Sequence, residues 1–472
     1  MREFELLIQG GLVVTDTGST RCDVGVADGR ILALAEKLAN GRQIIDANGL
    51  LVLPGGIDSH VHIAQPSGAS INADDFHSGT MSAAFGGTTT ILPFALQQRD
   101  QSLLEAVQDY HQKATGRSFV DYSFHPIVTN ASETVINRDL PGLIRDGYRS
   151  VKVFMTYEHV KLSELELLKV MDVAREQDGL VMVHCENDGA IRYAIEKLEE
   201  EGKIAPQFHA ASHPAIAEVE AVNRVITFAE WLNVPVMVVH VSTRGAMESI
   251  RRARQRGLKV FGETCPQYLL FTAKDLERPN LEGTKYIFSP PPRDKKTQEA
   301  CWEGLSTDVL SVFSSDHCPF RFEGKGGKQT PPVFKGFRFV PNGIPGVETR
   351  LPLLFSEGVG KGRITLNQFV ALSSTNHAKI YGLYPQKGTI AVGADADLAL
   401  WNPEREVTIS QSVLHHGCDY TPYEGLKVKG WPMTTILRGQ VIVRDGKLEA
   451  KSGTGIYLKQ NPPKRTAIGI GL

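Results

Sequence analysis

The pattern of apolar and polar positions changes twice along the chain. Both ends carry short apolar runs separated by turn residues, such as 12–14 near the start and 441–443 near the end. Asp28-Gly29 and Asp445-Gly446 follow such runs, and Asp-Gly between apolar runs is a strong signal for a β-hairpin. Neither end is long enough for a stable sandwich of its own, so we expect the two ends to form one small β domain together.

Between the two ends, short apolar runs alternate with helical patterns. Eight such alternations over about 270–320 residues match a (β/α)8 TIM-like barrel, which makes the chain an α/β protein. A doubly wound sheet is the competing architecture, but it usually needs a glycine-rich phosphate turn after the first strand, and Gly55-Gly56 is followed by 57–60, Ile-Asp-Ser-His. The barrel strands are predicted at 51–57, 88–94, 122–128, 150–155, 180–184, 235–240, 258–262 and 310–314.

Long loops on one side of the predicted barrel, at 64–77 and 320–348, are expected to be lids or binding loops. The pattern divides the chain into an N-terminal part of the β-sandwich (1–53), the catalytic barrel (54–380), a C-terminal part of the sandwich (381–452) and an extended C-terminal arm (453–472).

The clearest helix is predicted at 163–178. Ser163 and Glu166 match a capping box at its start, and Gly179 occupies the place expected of a C-terminal cap. The apolar stripe of this helix is predicted at Leu165, Leu168, Met171 and Val173.

Composition narrows the class of protein. Hydrophobic residues at 42% and charged residues at 22% are ordinary globular values. The net charge is −2 with no long block of like charge, so nothing favours nucleic acid or a membrane surface as a partner. No run of about 18 uncharged apolar residues is present to span a bilayer, and the start lacks the apolar core of a signal peptide. The 6 cysteines are scattered without a CxxC pair, so we expect a soluble protein of a reducing cytoplasm.

Ionisable side chains follow the predicted barrel strands. His60 and His62 directly follow the first strand, and residues i and i+2 of an extended segment point the same way, so both imidazoles can reach one metal ion. His184, His240 and Asp316 stand at the ends of the fifth, sixth and eighth strands. Each residue alone fits an ordinary hydrogen-bonded polar position. Together they fall where a barrel gathers its active site.

Lys152 is the unusual member of this group, because it lies inside the apolar run 150–155. A lysine at a strand end can keep its charge in water or in a salt bridge, but a buried one tends to lose its proton. Four histidines and one aspartate are few ligands for two divalent ions, and a bridging anion would complete the set. A lysine carboxylated by carbon dioxide would supply two oxygens and a negative charge. Without thiolates, such a set suits zinc, manganese or iron(II).

Eight stretches of the chain form a specific combination: 54–62, 73–76, 86–90, 151–157, 183–187, 314–317, 341–343 and 387–390. They resemble the hydantoinase/dihydropyrimidinase group of the amidohydrolase superfamily, over nearly the whole chain. The resemblance implies a metal-dependent barrel with a β-sandwich built from both termini. It also implies hydrolysis of a cyclic amide, a hydantoin or 5,6-dihydropyrimidine ring, to an N-carbamoyl amino acid.

The resemblance further implies two divalent metal ions, zinc with manganese or cobalt as alternatives. A hydroxide bridging the metals is the implied nucleophile, because paired cations lower the pKa of bound water. Carried over residue by residue, the implied ligands are His60, His62 and Asp316 for one ion, His184 and His240 for the other, and carboxylated Lys152 for both.

Four residues receive further roles from the resemblance. Asp316 would take the proton from the hydroxide and deliver it to the leaving amide nitrogen. Tyr157 would donate to the developing oxyanion. Ser289 and Asn342 match positions that hold the amide groups of the ring, largely through the main chain. A homotetramer is the implied assembly.

Neighbouring families differ at informative positions. Dihydroorotases carry an arginine shortly after His-x-His, whereas Ile63-Ala64-Gln65 follows here, which disfavours a substrate with a carboxylate. Allantoinases generally lack the tyrosine after the lysine, so Tyr157 favours a hydantoinase or dihydropyrimidinase over an allantoinase-type hydrolase. A non-catalytic, dihydropyrimidinase-related assembly protein is disfavoured because such relatives lose metal ligands, and this chain keeps all six candidates. The ring substituent and the preferred enantiomer stay open.

Overall fold

Groups of β-strands lie toward both ends of the chain, and strand and helix alternate between them, as residues 3–67, 70–329 and 334–462 of the computed structural model show. The first strands are β1 (Phe4–Gln9), β2 (Leu12–Val14), β3 (Ser19–Arg21), β4 (Asp23–Ala27), β5 (Arg30–Ala35), β6 (Gly41–Asp46) and β7 (Leu51–Pro54). The central strands are β8 (Gly56–Val61), β9 (Pro66–Ser67), β10 (Ser70–Ile71), β11 (Thr88–Leu96), β12 (Asp121–Tyr122), β13 (His125–Ile127), β14 (Ser150–Phe154), β15 (Leu180–His184), β16 (Val236–Val238), β17 (Val260–Thr264) and β18 (Val312–Phe313). The last are β19 (Leu398–Thr408), β20 (Lys427–Leu437), β21 (Gln440–Arg444) and β22 (Lys447–Leu448).

The terminal strands form two packed sheets. One sheet has the order β5-β4-β1-β6, and the other has the order β22-β21-β20-β19-β7-β2-β3 and so mixes both chain ends. Leu6 and Val26 of the first sheet share one buried cluster with Leu400 and Ile436 of the second. Apolar side chains on two inner faces are what hold a sandwich together. The prediction of a sheet domain built from both termini is confirmed.

The central strands form a nearly closed parallel barrel. Their order is β12-β11-β13-β14-β15-β16-β17-β18, and β8 pairs with β11 on the other side. Val61 at the end of β8 forms a parallel bridge with His317, which brings the last strand back beside the first. The strands are buried on both sides, as expected of a parallel sheet covered by helices. The predicted TIM-like barrel is confirmed.

Helices connect and cover the barrel strands. Among the described residues, none of the helices is long and apolar enough to cross a membrane. The α-helices are α1 (Phe76–Phe85), α2 (Leu103–Ala114), α3 (Leu140–Arg145), α4 (Glu164–Glu176), α5 (Asp188–Glu200), α6 (His209–Ser212), α7 (Ala215–Leu232), α8 (Arg244–Gln255), α9 (Pro266–Leu270), α10 (Lys295–Ser306), α11 (Arg350–Leu354), α12 (Leu366–Val370) and α13 (Asn376–Ile380).

Helix α4 confirms the predicted start and corrects the predicted face. Ser163 caps the helix, and its capping box with Glu166 is present. Leu165, predicted to be in the stripe, is 64% exposed. The buried face begins instead at Leu167, because residues three, four and seven positions after it lie on the same side of an α-helix. At the end of the helix Asp178, not Gly179, takes the left-handed conformation, with φ of 53°. The buried residues of α4 are Leu167, Val170, Met171, Val173 and Ala174.

The apolar run predicted as one strand at 51–57 is two strands in different sheets. Strand β7 pairs with β19 and β2 in the sandwich, whereas β8 pairs with β11 in the barrel. The chain changes sheet at Gly55, where any Cβ atom would collide with the side chain of Thr89. The run is apolar throughout because both strands are buried, so its sequence conceals the break. The predicted strand 122–128 is likewise divided, into β12 and β13.

A buried ionic cluster joins the sandwich to the barrel. Lys387 Nζ lies 2.6 Å from Oδ2 of Asp121 in the barrel and 2.6 Å from Oδ2 of Asp397, next to β19. Asp395 Oδ2 lies 3.1 Å away. Burial disfavours the charge of Lys387, but the three carboxylates outweigh burial and raise its pKa. The cluster therefore holds a charged lysine at the junction of the two parts.

The segment after β22 lies against the barrel as far as residue 462. Tyr457 forms a parallel bridge with Tyr122, and the amide of Leu458 donates to the carbonyl of Tyr122 at 2.7 Å. Gln460 Oε1 accepts from the amide of Arg149 at 2.7 Å. These contacts join the segment to β12 and to the residue that precedes β14. Residues 463–472 of the predicted arm lie outside the described residues.

Candidate metal centre

A cavity of about 1240 Å³ opens at the carboxyl ends of the barrel strands. Parallel strands deliver the side chains at their ends to this face of a barrel. Every site residue named from the sequence lines the cavity. These residues are His60, His62, Lys152, Tyr157, His184, His240, Ser289, Asp316 and Asn342.

Three of these residues form a compact ligand cluster. The ligand atoms of His60, His62 and Asp316 all lie within 4.8 Å of one another. Asp316 Oδ1 is 3.2 Å from His60 Nε2 and 3.6 Å from His62 Nε2. Two imidazoles and one carboxylate converging on one point suit a divalent ion such as zinc.

His184 and His240 form a second pair beside the cluster. Their ring centroids are 4.5 Å apart, and the His240 ring is 5.4 Å from that of His60. His184 Nε2 faces Glu186 Oε2 at 2.8 Å, which leaves Nδ1 as the free ligand atom. His240 Nδ1 is buried and has no hydrogen-bond partner among the described residues. A buried nitrogen without a partner is costly, so a ligand that fills this position would stabilise the site.

Lys152 completes the group with a second unpartnered atom. Its side chain is 0% exposed, and Nζ finds no hydrogen-bond partner in the part of the chain that the structure describes. The amine lies 5.1 Å from the ring centre of Phe94 and 5.0 Å from that of Phe154. Burial lowers its pKa to about 8, although Glu263 and Asp316 oppose the shift. Such an amine supplies the neutral form that carboxylation requires, and the donor set therefore fits two metal ions with a bridging carboxylate.

The histidines are neutral in this environment. Burial, with the Lys152 charge next in importance, holds the pKa values of His60 and His184 well below the usual range. Burial also lowers the pKa of His62 to about 3. A metal ligand must be a neutral imidazole, so the cavity prepares these side chains for ligation. Burial raises the pKa of Asp316 well above its usual value, and a bound cation would reverse that shift.

The sequence matches a known family over most of its length. The model of the amidohydrolase family matches residues 51–442. The D-hydantoinase of Ralstonia pickettii is 44% identical over 98% of this chain and 100% of its own. The D-hydantoinase of Geobacillus stearothermophilus is 44% identical over 96% of each chain. The crystal structure of dihydropyrimidinase from Brevibacillus agri superposes with a TM-score of 0.94 at 40% identity, covering 97% of this chain and 99% of its own.

The chain belongs to the amidohydrolase family. Within it, the chain falls in the hydantoinase/dihydropyrimidinase group, as the resemblance of the sequence indicates.

Glu263 is the main residue of this amidohydrolase site that sequence reasoning missed. It lies in β17, one residue beyond the predicted strand 258–262, and is 0% exposed. Its Oε1 is 2.5 Å from His60 Nδ1 and accepts from the amide of His240 at 3.2 Å. A carboxylate of this kind fixes the ring orientation of a metal-ligating histidine. Its position at the carboxyl end of a barrel strand was the signal that could have revealed it.

Two further side chains orient histidines of this amidohydrolase. Gln65 Oε1 lies 3.0 Å from His62 Nδ1, so that Nε2 faces the cluster. Gln65 in turn donates to the carbonyl of Phe94. Glu186 plays the matching part for His184. Both residues lie within stretches noted in the sequence. Their roles were not predicted, because they depend on which histidine nitrogen each side chain faces.

Tyr157 and the two predicted ring-binding residues line the same cavity as the ligand cluster. Tyr157 has a positive φ of 71°, and its ring centre is 5.3 Å from that of His184. Burial, followed by the charge of Glu186, raises the pKa of Tyr157 well above its usual value, so the hydroxyl remains a donor. Asn342 Oδ1 is buried without a hydrogen-bond partner among the described residues, and the Ser289 hydroxyl faces that of Tyr157. The Asn342 oxygen is therefore available to a ligand in the cavity.

Proposed function

We propose that this amidohydrolase opens a cyclic amide, a hydantoin or 5,6-dihydropyrimidine ring, by hydrolysis to an N-carbamoyl amino acid. The observation that carries the proposal is the unpartnered Lys152 amine, which lies in the same cavity as four neutral histidines and Asp316. The relatives named for D-hydantoinase and dihydropyrimidinase support the same class of substrate.

The proposal includes two divalent ions, with zinc as the expected metal and manganese or cobalt as alternatives. His60, His62 and Asp316 would hold one ion, His184 and His240 the other, and carboxylated Lys152 both. When bound, such a pair of cations polarises the amide carbonyl and provides hydroxide at neutral pH by lowering the pKa of water. The buried, neutral imidazoles support this assignment.

Side chains of the chain itself would carry the remaining chemistry. Asp316 accepts the proton of the attacking water and passes it to the leaving amide nitrogen, because its carboxylate lies at the ligand cluster where the water would attack. Tyr157 donates its hydroxyl hydrogen to the oxygen that gains charge when the carbonyl is attacked. Ser289 and Asn342 hold the amide groups of the ring.

The function is tested by comparing ring opening of dihydrouracil, unsubstituted hydantoin, a 5-aryl hydantoin and allantoin, with metal analysis of the same preparation. We expect fast opening of the hydantoins or dihydrouracil, slow opening of allantoin, and about two metal ions per chain. Near-zero metal after metal-supplemented expression, with no ring opening, would contradict the proposal. Faster opening of allantoin than of the other rings would instead identify the protein as an allantoinase-type hydrolase.

A homotetramer and a cytoplasmic location remain predictions, as do the domain boundaries placed after residues 53, 380 and 452. Multi-angle light scattering of the purified enzyme measures the assembly, and a mass of four chains is the expected result. Cell fractionation with an antibody measures the location.

A further inference from the structure

Two segments that contact each other line the cavity that also contains the ligand cluster. Ser289 lines the cavity from the first segment, 287–289, and Asn342 and Gly343 line it from the second, 341–343. The two segments are in direct contact, since the amide of Gly343 donates to the carbonyl of Ile287 at 3.1 Å. Their spacing therefore sets the space available to a ring bound against them.

Lys328 joins these segments from behind. Its side chain is 0% exposed, and Nζ donates to the carbonyl of Ile287 at 2.8 Å and to that of Pro341 at 2.9 Å. Lys328 itself is not among the residues that line the cavity. It reaches the substrate side of the site only through the backbone of its two partners.

The chemistry of Lys328 suits a permanent tie. Burying an amine is costly unless its hydrogens are bonded, and here both partners are carbonyls. Burial lowers the pKa of Lys328 to about 7, with Cys318 and Cys418 opposing the shift. An ammonium group has three donors and a neutral amine has two, so both forms satisfy two carbonyls. The tie therefore persists whether or not the amine is protonated.

We propose that Lys328 is a positioning residue that ties 287–289 to 341–343 and so sets the shape of the ring-binding side of the cavity. The proposal rests on the proposed function, because it assigns the two segments to the ring. Loosening the tie should therefore affect substrate binding more than metal binding, since the proposed metal ligands His60, His62 and Asp316 lie outside the two segments.

Cys318 provides a readout that does not depend on activity. It lines the cavity, and its Sγ lies 3.7 Å from the carbonyl of Asn342, to which it donates. A Cβ added at Gly343 would fall 2.8 Å from Cys318 Sγ, so segment 341–343 lies directly against the thiol. If the segment moves away, N-ethylmaleimide should reach this thiol faster. Peptide mass spectrometry separates Cys318 from half-buried Cys22.

The test compares Lys328→Met with Lys325→Met, an exposed lysine of the same loop, in the full-length holoenzyme. We expect Lys328→Met to raise KM for dihydrouracil or hydantoin about tenfold, with a smaller change in kcat and unchanged metal content. Cys318 labelling should accelerate by a similar factor, and Lys325→Met should leave both readouts at the wild-type value. Lys328→Gln, which keeps an amide donor, should fall between wild type and Lys328→Met and serves if the methionine variant misfolds.

Unchanged KM and unchanged Cys318 labelling in a folded variant would overturn the proposal. Loss of metal with a parallel fall in kcat would overturn it too, because it would make Lys328 a support of the whole barrel. If wild type opens no cyclic amide, the proposed function fails, and the labelling rates still decide whether Lys328 ties the two segments.

Discussion

The Nδ1 atom of His60 lies 2.5 Å from Oε1 of Glu263, and both side chains are buried. Since the carboxylate can only accept, Nδ1 carries the hydrogen and Nε2 is left for a metal. Glu263 thus decides the tautomer of His60, a proposed metal ligand, although Glu263 itself does not line the cavity.

Replacing Glu263 with glutamine should therefore weaken metal binding. We expect about a 10–100-fold loss of metal affinity in Glu263→Gln, with the fold retained, because the amide holds the ring less firmly and adds no negative charge. Chelator competition measures the affinity, and circular dichroism checks the fold. Glu303→Gln on the exposed side of α10 is the control. Equal metal affinities in the two variants would show that Glu263 does not contribute to metal binding.

Replacing Lys152 with alanine should abolish ring opening and sharply reduce the occupancy of both metal positions. The reason is that the proposed bridging carboxylate disappears with the side chain. Metal analysis and steady-state rates measure the effect, and Lys169→Ala on the exposed face of α4 should change neither. Added acetate should restore part of the metal content by occupying the vacated position. Full retention of metal and rate would refute the bridge.

Replacing Tyr157 with phenylalanine should lower kcat by about 10²–10³-fold while metal stays bound. The hydroxyl is the only group removed, and the ring beside His184 is kept. Rates and metal content of the same preparation separate the two outcomes. If Tyr157→Phe loses metal and melts earlier, the tyrosine supports the structure instead of the transition state.

The Lys387 cluster should be a large contributor to stability. Lys387→Met removes the shared cation of three buried carboxylates, although Asp121 keeps Arg438 and Asp395 keeps Arg30, and the loss should cost about 3–5 kcal/mol. Thermal unfolding measures the loss. Lys361→Met removes an exposed ion pair with Glu357 and should cost at most about 1 kcal/mol. Similar melting temperatures for the two variants would show that the cluster contributes no more to stability than an exposed ion pair does.

A buried histidine should make stability depend on pH. His377 Nε2 faces the carbonyl of Leu372 at 3.0 Å, and Nδ1 faces the Ser59 hydroxyl at 2.9 Å. Burial, followed by the charge of Arg350, lowers its pKa from 6.5 to about 3. The folded state therefore keeps His377 neutral where the unfolded state takes up a proton. Its contribution is complete above pH 6.5 and declines toward pH 3, by up to about 1.4 kcal/mol per pH unit.

The variant His377→Gln isolates this contribution. At about pH 7.5 it should melt below wild type, because it loses the fit of the imidazole, and the difference should shrink by about pH 5. Melting curves at several pH values measure the trend. A difference that stays constant would mean that His377 does not change its protonation between the folded and unfolded states.

Much of the architecture was readable from local patterns. Asp28-Gly29 connects β4 to β5 with φ values of 52° and 72°, as the turn chemistry indicates. The capping box at Ser163 was also predicted correctly. Two errors had different causes: an exposed leucine was counted in an apolar stripe, and a run that is apolar because both of its strands are buried concealed a break. Leu165 was assigned to the wrong face of α4, and the run 51–57 concealed a change of sheet at Gly55.

The sequence by itself determined which side chains meet at the cavity. Barrel strands run parallel, so residues at their carboxyl ends, such as His184 and Asp316, must converge whatever the loops do. Only the tertiary structure decided which atoms face each other. Glu263 and His60 are 203 positions apart, and Lys328 reaches Ile287 and Pro341 from a separate loop. Hydrogen-bond partners across such distances depend on how strands and loops pack in three dimensions, which no local pattern of residues records.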